Sequence, residues 1–226
     1  MNDQAGFTAG STDITPGQPI PDDFAYAIPG GPGLNISPAI HWQGAPPQTQ
    51  SFAVLVHDPD APTGGAGFWH WLVIDIPANV TSLARGAGEP QGATMPSGCR
   101  QLGNDYGEIG WGGPAPPVGD PPHRYNFTVY ALKVRKLDLP AHATASRAGF
   151  MVNANALARA TAKTVPGTSH GTDSSRSTSA LIRPLPRRSE SPVSTAITSA
   201  TTVASEAIQS EFTSGRSRSG WVTSAT

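Results

Sequence analysis

Of the 226 residues, 25 are glycine and 23 are proline, a proportion that favours short elements joined by turns over long helices. The formal net charge of −1 supplies no concentrated basic surface for nucleic acid or an anionic membrane, and a single cysteine, Cys99, excludes an internal disulfide. No run approaches the roughly 18 apolar residues of a membrane span, and residues 1–20 lack a basic n-region and an apolar h-region, so a cytoplasmic protein without transmembrane segment or secretion signal is expected.

In chain order, Phe24–Ile28 ("FAYAI") and Ala39–Gly44 ("AIHWQG") read as weak strands, separated by the Gly/Pro-rich loop Pro29–Pro38. Three segments read as core strands: Ser51–Asp58 ("SFAVLVHD"), His70–Pro77 ("HWLVIDIP") and Tyr125–Val134 ("YNFTVYALKV"), each rich in β-branched and aromatic residues and bordered by turn formers. Arg147–Ala162 is alanine- and leucine-rich and spaces Phe150, Met151, Leu157 and Ala158 helically, so a helix is expected there despite Asn153 and Asn155. No repeat of solenoid or propeller length occurs. The expected fold is therefore mainly β with a late helix.

The charge divides the chain. Residues 1–162 hold eight Lys/Arg and twelve Asp/Glu, whereas residues 163–226 hold seven and four, and 26 of those 64 residues are Ser or Thr. With Trp221 and Phe212 as its only Trp and Phe, the second part cannot bury enough apolar area to offset ordering entropy, so residues 163–226 are expected to be a disordered tail behind a domain at 1–162. Its segment Arg183–Pro192 ("RPLPRRSESP") has the composition of a solvated linker as well as of a basic docking motif.

The densest chemistry lies in "HDPDAPTGGAGFWHWLVIDIP", His57–Pro77. Asp58 and Asp60 are two apart, which places them on one side of an extended chain, and Pro59 and Pro62 stiffen the loop. His70 opens one apolar run and His123 opens another; if those strands are neighbours, both imidazoles meet the two carboxylates. Ordinary turn chemistry is the alternative for Asp58 and Asp60, because a short carboxylate readily accepts nearby backbone N–H groups. A metal set of His57, Asp58, Asp60, His70 and His123 has suitable ligand types but no closed-site spacing such as HExxH or paired CxxC. A hydrolase has less support: GxSxG is missing, Ser97 has no evident base, and nothing marks Cys99 as a nucleophile.

Several stretches in order resemble the phosphatidylethanolamine-binding proteins, most closely their bacterial Raf-kinase-inhibitor-like branch: "NISPAIHW" (Asn35–Trp42), "SFAVLVHDPDAPTG" (Ser51–Gly64), "FWHWLVIDIPANVTSL" (Phe68–Leu83), "GWGGPAPPVGDPPHRYNFTVYAL" (Gly110–Leu132) and "GFMVNANALARATA" (Gly149–Ala162). The resemblance covers about residues 8–162. It implies a central antiparallel sheet with a smaller second sheet, peripheral helices and an anion pocket at the strand ends. That pocket would be lined by Asp58, Asp60, Pro62, His70, Gly113, Pro117, His123 and Tyr125. It further implies a non-enzymatic protein without cofactor or metal that takes a small anionic ligand, of phosphate or phosphoethanolamine type. A kinase or protease is the implied protein partner, and homodimerisation is a further expectation. The alternative is an acid–base or metal-assisted hydrolase using the same His/Asp set.

For an anion to sit beside Asp58 and Asp60, those carboxylates would act as supports that orient or protonate the histidines toward it, so binding is expected to weaken as pH rises past the histidine titration. Two departures from the resemblance stand out. Pro166 and Gly167 fall where a short closing strand is expected, which suggests that this strand is missing, and Ala115 replaces the glycine usual in animal relatives.

Overall fold

The structure, a computed structural model, describes residues 6–167. A three-stranded sheet has the order β1 (Thr8–Gly10), β2 (Ile40–Gln43), β5 (Ser82–Leu83). A five-stranded antiparallel sheet has the order β6 (Arg100–Gln101), β4 (Phe68–Pro77), β3 (Ser51–Asp58), β7 (His123–Leu132), β8 (Ala156–Gly167). The single α-helix among the described residues, α1, spans Ala145–Asn155.

The three central strands read as nearly continuous apolar runs because the large sheet is covered on both faces. One face carries Phe52, Val54, Val56, Trp71, Val73, Phe127 and Val129, packed with Trp42, Leu83 and Trp111. The other carries Ala53, Leu55, Leu72, Ile74 and Leu132, packed with Leu137, Leu139 and the α1 residues Ala148 and Val152. Each face thus meets its own layer, and the candidate site residues collect where the first face runs out at the ends of β3, β4 and β7.

Two irregularities in β4 interrupt its alternation. Val56 pairs with Trp71 and His57 with Trp69, which leaves His70 as an extra residue; Phe52 pairs with Ile76 and Val54 with Val73, which leaves a second extra residue beside Asp75, whose φ is 59°. A bulge turns the inserted side chain toward the face of its neighbour. His70 accordingly shares the face of Trp71, and Asp75 that of Ile74.

Several expectations are corrected. Phe24–Ile28 is a 3-10 turn at Asp22–Phe24 followed by loop, because its backbone bonds to Pro114, Asp22 and Asn35 instead of to a ladder. The helix stops at Asn155, where the Asn153 and Asn155 amides donate to the carbonyls of Gly149 and Met151 and Ala156 turns extended. Phe150, expected on the helix's packed stripe, is 72% exposed. The closing strand exists: β8 pairs with β7 from Leu132↔Ala156 to His123↔Gly167, burying Ala158 and Ala160. Pro166 is tolerated because β8 is an edge strand and its register slips between His123 and Tyr125. This strand runs five residues past the boundary expected at residue 162. The Ser/Thr-rich tail otherwise lies outside the described residues, with Arg183–Pro192 in it.

Candidate functional site

Strand β3 delivers Asp58 between its two neighbours. Because β4 and β7 both pair with β3, the assumed convergence of His70 and His123 on Asp58 is realised. The three side chains line a cavity of about 240 Å³ with Pro62, Pro117 and Tyr125, and also with Phe68 and Tyr106. Asp58, His70, His123 and Tyr125 are all buried.

Asp58 performs both roles considered for it. Its Oδ1 accepts the backbone N–H groups of Asp60 (2.8 Å) and Ala61 (3.1 Å), which shapes the Asp-Pro turn, and its Oδ2 lies 2.7 Å from His123 Nδ1. The other ring nitrogen of His123 faces the carboxylate of Asp120 at 3.4 Å. The His123 ring is therefore held by Asp58 through Nδ1, with Asp120 at its other edge.

His70 is held differently. Its Nδ1 lies 2.6 Å from the carbonyl oxygen of Gly112, which can only accept, so the ring proton sits on Nδ1. Gly112 N–H returns a bond of 2.9 Å to the His70 carbonyl. The Nε2 atom is buried and has no hydrogen-bond partner. Burial pulls the His70 pKa down to about 4, outweighing the bond to Gly112 and the charge of Asp58. For His70 this differs from the expected protonated donor: burial favours the neutral ring, whose Nε2 presents a lone pair.

Two residues expected in the pocket lie beside it. Asp60 turns outward and takes Arg124 bidentately, at 2.8 Å from Nε and 2.6 Å from Nη2, and also the Arg124 backbone N–H at 2.7 Å. Arg124's bonds hold the Asp60 carboxyl down to about 2. Asp60 borders a separate open groove of about 1020 Å³ on the opposite face of the sheet. Gly113 shapes the pocket without lining it: its N–H donates to Asn35 Oδ1 at 2.8 Å, its carbonyl accepts the Tyr106 hydroxyl at 3.0 Å, and a Cβ there would sit 2.1 Å from the Phe24 carbonyl oxygen. Only glycine lets these backbones approach so closely.

Tyr106 and Phe68 are the cavity residues the sequence reading missed. Tyr106 packs on Phe68 and His70, with ring centroids 4.7 and 5.9 Å apart, and on Tyr26 at 4.1 Å. Burial pushes the phenols of Tyr106 and Tyr125 well up, which keeps both protonated. The turn signal Asn104–Gly107 could have pointed to Tyr106, because Asn104 Oδ1 accepts the backbone N–H of Tyr106 and of Glu108. Ala115 lies on the cavity wall.

The five-residue metal set does not assemble: His57 Nε2 contacts the Ala66 carbonyl at 3.1 Å and its ring lies on Trp69, while Asp60 is committed to Arg124. Among the described residues, no group of three or more His, Cys, Asp or Glu side chains is placed to hold a metal ion. Burial pushes the Cys99 thiol up to about 11, so it is protonated and a poor nucleophile near neutrality. No helix among the described residues is long and apolar enough to cross a membrane.

Residues 10–165 match the family model described as "Phosphatidylethanolamine-binding protein". The chain is 44% identical over 156 residues to UPF0098 protein YbcL of Escherichia coli K12, covering 69% of this chain and 85% of that one. With UPF0098 protein YbhB of the same organism it shares 41% identity over 66% of this chain and 93% of the relative. The crystal structure of E. coli YbcL, titled a new member of the mammalian PEBP family, superposes with a TM-score of 0.69 at 43% identity, covering 73% of this chain and 99% of that one.

Proposed function

Because the chain belongs to the phosphatidylethanolamine-binding protein family, we propose that it is a non-enzymatic binding protein whose cavity seats a small oxyanion of phosphate type. The buried Asp58, His70, His123 and Tyr125 around a space of about 240 Å³ carry this reading. That volume lies below the ~300 Å³ at which sites for drug-sized ligands begin and suits a head group or an inorganic ion. A hydrolase would need a base poised near neutrality, and His70, held near 4, is a weak one. A protonated, unpaired Cys99 suits a cytoplasmic setting. Regulation of a kinase or protease extends the same reading, since the chain passes directly from the cavity-lining Pro117 to the exposed Val118 and occupancy would reach that surface. Homodimerisation is part of the proposal as well, and sedimentation of the full chain tests it.

A thermal-shift titration of the full chain with phosphate, phosphoethanolamine and a nucleotide, alongside His70→Ala, tests the binding reading. Ligand at a hundredfold excess over Kd is expected to stabilise the protein by about 2.7 kcal/mol, with the shift lost in the variant. A cooperative melt that no phosphate compound moves would overturn it.

A further inference from the structure

We propose that the cavity selects oxyanions that bring their own proton: the ligand donates a hydrogen to His70 Nε2, so inorganic phosphate and phosphate monoesters are taken while sulfate and phosphodiesters are refused. This rests on the oxyanion reading above and names its ligand class.

The geometry at His70 leaves one outcome. Nδ1 must hold the proton because its partner is the Gly112 carbonyl, and Nε2 is buried, unpartnered and on the cavity wall. An atom in that position lowers its free energy only by accepting a hydrogen bond. The surroundings of the ring give a bare anion little help. From β3 comes the Asp58 carboxylate, with His57 behind it; from β7 come His123, whose Nδ1 is taken by Asp58 and whose Nε2 lies 3.4 Å from Asp120, and the phenol of Tyr125; from the 104–113 loop come the Tyr106 phenol and the Gly112 and Gly113 backbone. None of the described residues lining the cavity is lysine or arginine, and the nearby Arg124 is committed to Asp60.

An aprotic anion whose oxygen faces Nε2 must first drive a proton onto His70, which at pH 7 costs a factor of about a thousand for a ring that burial pulls down to about 4. A phosphate monoester or inorganic phosphate escapes this cost by presenting P–OH. Sites built around a ligand hydroxyl discriminate strongly against the analogue that lacks it.

Calorimetric titration of the full chain at constant ionic strength, with inorganic phosphate, methyl phosphate, dimethyl phosphate, sulfate and ethanolamine, tests the proposal. At pH 7 the first two are expected to bind at least about 100-fold more tightly than sulfate or dimethyl phosphate. Sulfate affinity should rise about tenfold per unit as pH falls toward 4, and methyl phosphate affinity should fall about tenfold per unit above its second ionisation near 6. His70→Gln puts an amide N–H where Nε2 stood, so its sulfate affinity should rise and the discrimination shrink. If that variant does not fold, the wild-type series decides alone. Equal binding of sulfate and phosphate at pH 7 would remove the selection and leave the oxyanion pocket standing; binding of ethanolamine alone, or of nothing, would remove the pocket reading itself.

Discussion

Strand β4 carries an inserted residue near each end, and the two insertions bury titratable groups to opposite effect. At the end near residue 75, Asp75 Oδ2 accepts from Arg100 Nε at 2.6 Å and Oδ1 from the Leu137 N–H at 2.8 Å, while Arg100 also donates to the carbonyls of Leu137 and Leu139. Each guanidinium nitrogen of Arg100 and each carboxylate oxygen of Asp75 has a partner inside the protein, so the cluster clamps the segment after β7 onto the sheet. At the other end His70 satisfies one ring nitrogen internally and leaves the second buried and unused. A fully paired polar cluster stabilises a fold, whereas a buried group left without a partner needs an explanation of its own, which the proposed ligand supplies.

The clamp end should respond most strongly to substitution. Arg100→Met leaves the carboxylate of Asp75, whose side chain is 1% exposed, without its counter-charge, and is expected to lower stability by about 3–4 kcal/mol, a fall in Tm of roughly 6–16 °C. Phosphate affinity should be unchanged in the same variant. A melt equal to wild type would erase the distinction between the two ends.

The pocket end should show itself in acid. The His70 pKa is depressed in the fold, so the unfolded chain takes up its proton first; the stabilisation is complete above about 6.5 and is lost as pH falls toward 4. Urea melts across that window should lose about 2–3 kcal/mol that His70→Gln does not lose, and parallel slopes for the two proteins would speak against a buried neutral imidazole. The smallest effect is expected at Asp60→Asn, which breaks a largely solvated pair with Arg124: a Tm lower by about 1–2 °C, and less in high salt.

The legible parts of the fold share one property. Ser51–Asp58, His70–Pro77 and Tyr125–Val134 could be read because burial on both faces demands unbroken apolar runs. Strand β8 could not, since its alanines favour a helix in isolation and only the ladder to β7 outweighs that preference. The short strands β1, β5 and β6 are defined by their partners and leave no periodic trace.

At the site, the residue types and their order along the chain were enough to nominate Asp58, His70, His123 and Tyr125, because two strand ends and a stiffened Asp-Pro loop bring acids and imidazoles to one edge. Which partner each group has was decided only in three dimensions. Asp58 and Asp60 are alike in sequence, yet one is buried against His123 and the other faces out to Arg124. His70 became a neutral acceptor because a bulge aims it inward and a carbonyl claims its proton. Hydrophobic pattern is written residue by residue, but protonation and hydrogen-bond direction depend on which partners the folded chain supplies.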